Sequence, residues 1–411
     1  MKNLYTSVTD MIETSLLKLG YKNDVYHLLK EPNRILKVRI PVKMDDGSTK
    51  YFQGFRVQHN DVFGITHGNV HFNQHITEED IYAYSIIRSI KSSILNLPVG
   101  GSSGGIICDL RQLSFRELEN LSRGYIRAIH HLIGPQVDVP TSDAKVDQQI
   151  MAWMLDEYSR INTGVNPGFM TGKPLVLGGL PGKEIAQIKS VQYVMEKSLE
   201  YYEKKLKETK IVIQGFGEMG SQLADSLYSS GATIIGITDA YGCIYDEEGI
   251  NIPEILNRKD SFGSVTRTFP KVLPVEECYE LECDVFFLTA SNEALTAENA
   301  KKMKAQIVME TIPFTIEKEA NNYLKENNVV VLPEIITTLG GVIHSYLEWR
   351  QYQQATHYTI KEIEDNFHKM IDKSLQDAFS MKDKKQTDMV NASYMTGLNK
   401  LAEAARFRGW I

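Results

Sequence analysis

The stretch that decides the fold reads Ile211-Val212-Ile213-Gln214-Gly215-Phe216-Gly217-Glu218-Met219-Gly220-Ser221, a β-branched run that enters a glycine-rich turn. Its glycines form a GxGxxG pattern, and apolar residues follow at helical spacing. In a strand–turn–helix unit of this kind, the glycines allow a tight turn, close approach of a pyrophosphate and close packing of helix on strand. We therefore predict a dinucleotide site contacted by the six residues from Gly215 to Gly220.

An acidic residue follows the next β-branched run. Asp239 comes nineteen residues after Gly220, where a carboxylate can accept hydrogen bonds from the adenosine ribose. Neither Lys nor Arg follows in Ala240-Tyr241-Gly242 to receive a 2′-phosphate, so we expect NAD as the cofactor rather than NADP. Glu218 opposes tight binding, because its carboxylate would repel the pyrophosphate by about 1 kcal/mol.

The rest of the chain divides by pattern. Short β-branched runs alternate with helical segments from residue 210 onward, which predicts a doubly wound parallel sheet of the Rossmann type. These runs are residues 211–213, 233–237, 284–288, 307–309 and 329–332. The chain before them mixes extended and helical segments, and its end has helical periodicity. We expect an α/β fold with an N-terminal domain (1–182), a cofactor-binding domain (183–350) and C-terminal helices (351–411) that pack back toward the first domain.

Composition excludes several classes of function. The 411 residues carry 45 Lys and Arg against 52 Asp and Glu, a net charge of −7 with no basic cluster, so we expect neither nucleic acid nor a membrane surface as a partner. No apolar run approaches the length of a membrane helix, and we expect a cytoplasmic protein. The four cysteines contain no CxxC pair, so we expect no metal site.

Motifs spread over nearly the whole chain resemble the glutamate dehydrogenase family. They are GFRVQHN (54–60), LPVGG (97–101), GGI (104–106), DVP (138–140), MAWMLDEYS (151–159), TGKP (171–174), GGV (340–342), SYLEW (345–349) and AEAARFRGW (402–410). The resemblance implies a substrate and oligomerisation domain, a Rossmann-type domain, a cleft between them and usually a hexamer. It also implies NAD-dependent, reversible oxidative deamination of an L-amino acid.

Part of the family's active site is present. Lys91 matches the lysine that holds the substrate α-carboxylate, and Asp143 matches the aspartate that transfers protons. Ser345 matches the serine that reaches a substrate side-chain carboxylate. An alternative interpretation makes Asp143 a helix N-cap in the turn that follows Pro140, since aspartate is common at such positions.

The lysines that distinguish the family's substrate site are absent. Ser103 occupies the place of the lysine that activates water, in the stretch Gly100-Gly101-Ser102-Ser103-Gly104-Gly105. His67 replaces the lysine that binds a side-chain carboxylate, and His71 replaces an arginine. On a strand these two histidines are about 13 Å apart, too far for one metal ion to bridge.

Further departures lie around the same expected cleft. His344 stands where a small apolar residue shapes the substrate pocket. On the cofactor side, Gln187 falls in the segment that replaces the family's ATGxG, and Pro313 replaces an asparagine. A positioned acid or base contributes roughly 10²–10⁴ in rate, so these changes together predict poor turnover of glutamate.

Three hypotheses follow. The first is a glutamate-dehydrogenase-like pseudoenzyme that forms homo-oligomers, binds a small molecule and acts as a regulatory partner of a catalytic paralogue. The second is an active NAD-dependent oxidoreductase on a different amino or keto acid, with Asp143 as proton donor and Lys91 as carboxylate anchor. The third, an ordinary glutamate dehydrogenase, requires another lysine such as Lys145 or Lys189 in the cleft.

Overall fold

The computed structural model describes residues 3–143, 145–162, 164, 166–260, 263–290 and 295–411. The chain forms two compact units. The first comprises the residues up to Glu184, Gly341–Met370 and Tyr394–Ile411, and the second comprises Ile185–Gly340 and Ile371–Ser393. The chain therefore passes from one unit to the other four times, whereas the sequence pattern predicted three consecutive segments.

The first unit is an α/β domain built on a five-stranded sheet. Its helices are α1 (Leu4–Leu19), α2 (Asn23–Lys30), α3 (Glu78–Ile94), α4 (Phe115–Ile129) and α5 (Gln148–Ile161). Its strands are β1 (Arg34–Lys43), β2 (Thr49–Asn60), β3 (Thr66–Phe72), β4 (Gly100–Ile106) and β5 (Asp138–Ser142), in the order β1-β2-β4-β3-β5. The pairs β1–β2 and β2–β4 are antiparallel, and β3 runs parallel to both β4 and β5.

Helices cover both faces of this sheet. On one face, Tyr125 of α4 packs beside Gly54 and Gly104. On the other face, α3 packs against β2 and β4. The start of α3 is fixed by a capping box, in which Thr77 Oγ1 accepts from the Asp80 amide at 3.1 Å and the Asp80 carboxylate accepts from the Thr77 amide at 3.0 Å. This cap sets where the later residues of α3 meet the sheet.

The second unit has the predicted doubly wound arrangement. Its strands are β6 (Lys210–Gln214), β7 (Thr233–Asp239), β8 (Gly242–Tyr245), β9 (Val285–Leu288), β10 (Ile307–Glu310) and β11 (Val330–Leu332), in the order β11-β10-β9-β6-β7-β8. Its helices are α6 (Ala186–Tyr201), α7 (Glu218–Ser229), α8 (Ile252–Asn257), α9 (Ala297–Ala300), α10 (Lys318–Glu326) and α11 (Glu334–Thr337). All neighbouring strands are parallel except β8, which pairs antiparallel with β7 and was not predicted.

Strand order places the ligand-binding end of this sheet. The order reverses at β6, whose neighbours are β9 and β7, so the carboxyl end of β6 lies at the topological switch point where doubly wound sheets bind ligands. The neighbouring strand β9 is apolar and buried throughout, and β6 is buried from Ile211 to Gln214, as a sheet with two covered faces requires. The predicted glycine turn therefore lies at the position the fold favours for a dinucleotide.

The C-terminal part of the chain is helical, as predicted. It contains α12 (Gly340–Gln353), α13 (Ile360–Lys385) and α14 (Met389–Phe407). Both α13 and α14 are divided between the two units, which accounts for two of the four crossings. No helix within the described ranges combines the length and apolar character that crossing a membrane requires.

Candidate functional site

The first candidate site is the side of the five-stranded sheet that meets α3, which we call the α3-side face. A Cβ added at Gly101 would lie 2.2 Å from the Ser89 amide nitrogen, and one added at Gly105 would lie 3.3 Å from the Ile81 side chain. Both glycines therefore face α3, and only glycine lets the helix come this close. Side chains alternate along a strand, so Ser103, two residues from each glycine, faces α3 as well.

Neighbouring strands bring further polar side chains to the α3-side face. His67 of β3 is in register with Gly101, and Thr141 of β5 is in register with Asn69. Alternation then places His67, Asn69 and His71 on one side of β3, together with Thr141. Residues from three strands, separated by up to 74 positions in sequence, thus share one surface that the sheet places against a helix.

Ser103 provides a neutral hydroxyl at the position where the resemblance implies a catalytic lysine. It is 1% exposed, and its Oγ has no hydrogen-bond partner among the residues that the structure describes. A hydroxyl can donate one hydrogen bond and accept two, but it carries no charge. The group at this position can bind a ligand, but it cannot act as an amine base.

His67 is a buried, uncharged imidazole. Burial lowers its pKa well below the usual value, and the nearby charges of Arg88 and Arg56 lower it further. Its ring meets Trp349 edge-on, with the centroids 5.2 Å apart, and neither ring nitrogen has a hydrogen-bond partner within the described ranges. His67 therefore does not replace the positive charge of a lysine, although it retains one N–H donor.

Asp143 is held by two side chains of β3. Its Oδ1 accepts a hydrogen bond from Asn69 Nδ2 at 3.1 Å, and its Oδ2 lies 2.8 Å from His71 Nδ1. The helix that follows, α5, is capped by Asp147, whose carboxylate accepts from the Ile150 amide. The N-cap interpretation of Asp143 is therefore wrong for α5, and Asp143 instead belongs to the polar α3-side face.

Lys183, which the sequence did not single out, belongs to this site. Its Nζ donates to Ser345 Oγ at 3.1 Å and to Thr141 Oγ1 at 3.3 Å. Burial lowers the pKa of the Lys183 amine to about 8, and the charge of Arg88 adds to the effect. An amine with this pKa is partly deprotonated near neutral pH and can take up a proton.

Two residues of α12 position the turn that carries Lys183. Ser345 is fully buried, and its Oγ also donates to the Gly341 carbonyl at 2.8 Å. His344 lies 3.0 Å through Nε2 from the Pro181 carbonyl, which assigns the proton to that nitrogen. Burial lowers the pKa of His344 to about 4, and the Lys183 charge contributes, so this imidazole is neutral.

Three other lysines differ from one another in exposure. Lys91 is 7% exposed in the last turn of α3, consistent with a place on the same inner surface. Lys145 and Lys189 are both exposed. Neither of them is enclosed by the fold, whereas Lys183 is half-buried and contacts Ser345.

The second candidate site is the glycine turn of the second unit. Gly215 has a φ of 94°, a conformation that favours glycine, and a Cβ added at Gly220 would lie 2.0 Å from the Gly215 carbonyl oxygen. Gly217 precedes α7 directly, and a Cβ there would meet nothing within 4 Å among the described residues. The turn thus has the backbone shape and the open approach that a pyrophosphate needs.

The side chains of this turn differ in their surroundings. Phe216 is buried, Met219 is half-buried, and Glu218 is exposed in the first turn of α7. Gln187 is half-buried in the first turn of α6. Of these four residues, Glu218 has the carboxylate that we expect to repel a pyrophosphate, and its exposure weakens that repulsion.

Asp239 has a different set of partners from the predicted ribose hydroxyls. Its Oδ2 accepts from Ser264 Oγ at 2.7 Å and from the amides of Val265 and Thr266 at 2.9 and 3.1 Å. Its Oδ1 accepts from the Tyr241 amide at 2.9 Å and from the Thr266 hydroxyl. A carboxylate has about four acceptor positions, so the structure uses its whole capacity within the unit. Ribose binding by Asp239 stays a prediction.

Comparison with known families and sequences gives consistent matches. Residues 178–409 match the family described as Glutamate/Leucine/Phenylalanine/Valine dehydrogenase, and residues 32–160 match its dimerisation domain. The chain is 45% identical to the cryptic catabolic NAD-specific glutamate dehydrogenase GudB of Bacillus subtilis, over 98% of this chain and 96% of the relative. It is 42% identical to an NAD-specific glutamate dehydrogenase of Staphylococcus aureus, over 99% of both chains.

Solved structures show the same similarity. A hetero-hexameric glutamate dehydrogenase from Thermus thermophilus, in a leucine-bound form, matches with a TM-score of 0.91 at 31% identity, over 99% of this chain and 97% of that one. The glutamate dehydrogenase of Peptoniphilus asaccharolyticus matches with a TM-score of 0.87 at 31% identity, over the full length of both chains.

Proposed function

Because the chain belongs to the Glu/Leu/Phe/Val dehydrogenase family, we propose that it is a glutamate-dehydrogenase-like protein with an impaired active site. It binds a small amino or keto acid, turns glutamate over poorly and acts as a non-catalytic or regulatory member of the family. The observation that carries the proposal is Ser103, a buried hydroxyl at the place of the lysine that activates water in the family.

Two further features of the α3-side face support impairment. His67 is neutral, so the cation for a substrate side-chain carboxylate is absent from that position. Asp143 is engaged by Asn69 and His71, which restrains the carboxylate that the resemblance makes the proton carrier. Loss of one positioned acid or base costs roughly 10²–10⁴ in rate, and a disturbed proton carrier adds to this cost.

The glycine turn fits NAD, the cofactor named for the relatives. Gly215, Gly217 and Gly220 leave room for the pyrophosphate against the amides that open α7, and a nicotinamide bound there would exchange hydride with the substrate. Asp239 would bind the ribose only if the ribose hydroxyls replaced the hydrogen-bond donors of residues 264–266. We expect NAD to bind, but more weakly than in a relative whose acidic residue is free.

A regulatory role requires assembly with other chains. The match to a dimerisation domain and the hetero-hexameric relative from Thermus thermophilus support assembly into a symmetric oligomer. We propose that the chain forms homo-oligomers and also co-assembles with a catalytic paralogue in the cytoplasm. Co-purification with an active homologue from the source organism supports this role, whereas recovery of homo-oligomers alone contradicts it.

One observation favours a second candidate function, an active NAD-dependent oxidoreductase on a different amino or keto acid. Lys183 provides a half-buried amine with a pKa of about 8 beside Ser345 and Thr141. Such an amine can remove a proton from water or substrate near neutral pH. If this function is correct, Lys183 is the base, and the substrate differs from glutamate because the His67 position carries no charge.

The decisive experiment restores the missing charges and follows NADH formation. We expect little or no glutamate oxidation by the wild-type chain and clearly faster oxidation by the Ser103→Lys/His67→Lys double variant. The size-matched Ser103→Met/His67→Met variant separates the amines from their bulk and should stay inactive. Wild-type glutamate oxidation at a rate typical of the family would overturn the proposal.

The second function is tested by the same assay with a panel of other amino acids. Wild-type turnover of one of them, abolished by Lys183→Met and unchanged by Lys189→Met, would favour the oxidoreductase. Lys189 is a suitable control because it is an exposed lysine of the neighbouring helix. Turnover that survives Lys183→Met would exclude Lys183 as the base.

A further inference from the structure

Arg88 is a buried arginine whose charge has no ion-pair partner among the described residues. It lies on α3 and is 8% exposed. Its Nε and Nη2 atoms are buried, and neither has a hydrogen-bond partner within the described part of the chain. Burial lowers the pKa of Arg88 to about 9, with a contribution from the charge of Arg56, so the guanidinium is still charged at neutral pH.

Two other buried cations of the first unit form ion pairs. Arg56 makes a two-pronged contact with Asp138, through Nε at 2.7 Å and Nη2 at 2.6 Å. Lys173 donates to Glu348 at 2.6 Å. Arg88 forms no ion pair with any described residue, in contrast to both. An unpaired buried charge is costly, and proteins rarely retain one without a counter-ion.

The surroundings of Arg88 offer few groups that could satisfy it. Residues 85, 88, 89 and 92 share one side of α3, and Ser89 meets the sheet at Gly101. Gly101 is in register with His67, and the Arg88 charge lowers the pKa of both His67 and Lys183. Arg88 therefore lies near these two groups.

The polar atoms of this region are also unsatisfied. Both nitrogens of His67 and the hydroxyls of Ser92 and Ser103 are buried without a partner among the described residues. His67 can donate one N–H, and each hydroxyl can donate one O–H. Among the described residues, the region thus combines one positive charge that has no ion-pair partner with several free donors, and its carboxylate, Asp143, is held by Asn69 and His71. A bound anion would satisfy all of them at once.

We propose that Arg88 is an anion-binding residue that holds a carboxylate of a small organic acid on the α3-side face. A guanidinium binds a carboxylate through two parallel N–H donors, and Nε and Nη2, the two atoms left without partners, form one such edge. His67 and Ser103 are then additional donors to the ligand. This inference deepens the proposed function and rests on its binding of a small amino or keto acid.

The test combines ligand affinity with the stability of the ligand-free protein. The variants are Arg88→Met, which keeps the bulk, and Arg88→Lys, which keeps the charge but not the two-pronged geometry. The probes are glutarate and L-glutamate, with inorganic phosphate as the competing anion. Affinity is measured by calorimetric titration and stability by the melting temperature. Arg111→Met is the control, since the Arg111 side chain is 83% exposed.

We expect the wild-type chain to bind glutarate or L-glutamate, and Arg88→Met to weaken that binding about 30-fold or more. Arg88→Lys should fall between the two, and Arg111→Met should match the wild type. The ligand-free Arg88→Met protein should melt at the same temperature as the wild type or higher, because a costly unpaired charge is removed.

Four outcomes overturn the proposal. Two concern the wild-type chain: it binds neither carboxylic acid, or it binds phosphate as tightly as glutarate. The other two concern the variants. Either Arg88→Met lowers the melting temperature without changing the affinity, or neither Arg88 variant folds, which would make the residue structural. Failure of the proposed function is a separate result, because glutamate turnover by the wild-type chain would leave the effect of Arg88→Met on binding unaltered.

Discussion

The α3-side face of the first unit and the Asp239 turn of the second unit are both polar sites, but they are satisfied to opposite degrees. On the α3-side face, Arg88, His67 and Ser103 keep buried polar atoms without partners among the described residues. In the Asp239 turn, one carboxylate accepts five hydrogen bonds from its own unit. Native proteins pair nearly all their buried polar groups.

The α3-side face has polar groups that a ligand could pair, whereas the polar groups of the Asp239 turn are already paired within the protein. Unpaired buried donors carry a penalty that binding can remove, so they favour ligands. A saturated carboxylate stabilises the local chain and must lose partners before it can bind anything else. The first unit is therefore the better place to look for ligand binding, although the glycine turn belongs to the second.

The sharpest test of this contrast compares two buried arginines of the same unit. Arg56→Met leaves Asp138 buried without its counter-charge, and we expect it to lower the free energy of unfolding by about 3–5 kcal/mol. Arg88→Met should leave the free energy of unfolding unchanged. The three tryptophans, Trp153, Trp349 and Trp410, all belong to the first unit, so their fluorescence during urea unfolding reports on this unit. Equal losses in the two variants would contradict the contrast.

The two units should also respond oppositely to pH. The folded pKa of His344, about 4, lies below its ordinary value of 6.5, so its contribution is complete above pH 6.5 and is lost as pH falls toward 4. In the second unit, burial raises the pKa of Glu310 from 4.5 to about 7, and the charge of Glu334 contributes to this increase. Its contribution is complete below pH 4.5 and is lost as pH rises through 7. Each shift corresponds to on the order of 3 kcal/mol.

Tryptophan fluorescence follows the first unit in this experiment, and hydrogen exchange of peptides from β6 and β9 follows the second. Between pH 4.5 and 7 we expect the first unit to gain stability and the second to lose it. Glu310→Gln should flatten the profile of the second unit. His344→Gln should only reduce the slope in the first unit, because burial also lowers the pKa values of His59 and His67 there. A parallel change in both units would show that other groups control the pH dependence.

The smallest expected effect concerns the saturated carboxylate. Asp239→Ala removes the acceptor shared by Tyr241 and the 264–266 segment, and we expect a loss of about 2 kcal/mol, since the site is only half-buried. Hydrogen exchange should rise in β7 while tryptophan fluorescence is unchanged. Asp246→Ala, at an exposed aspartate nearby, is the control. If NAD affinity falls tenfold in Asp239→Ala, Asp239 also binds the ribose.

Much of the fold could be predicted because its signals are local. The β-branched runs and the glycine turn gave the parallel strands of the second unit, and helical periodicity gave the C-terminal helices. The strand β8 was missed because four residues after a short turn resemble a loop, and only pairing with β7 makes them a strand. The division into interleaved units was not predicted, since no composition change marks Met370 or Ser393.

The site was harder to predict because its geometry depends on distant segments. Lys183 is significant only beside Ser345 and Thr141, which lie 162 and 42 positions away. Arg88 on a mixed helix resembles an ordinary solvated residue until the packing of α3 on Gly101 buries it. The partners of Asp239 come from a loop 25 to 27 residues further on. Residue type could suggest these groups, but only tertiary packing assigns their partners.

The repeated crossing of the chain between units has a consequence for its synthesis on the ribosome. The second unit needs residues 371–393 and the first needs residues 394–411, so most of each unit is translated well before its final segment. Neither unit can form all its native contacts before the residues beyond 370 have been translated. A stop codon after residue 370 would remove a helical segment from both units at once. During synthesis, both hydrophobic cores are therefore incomplete until these last segments are translated, and the partly folded chain must stay soluble until then.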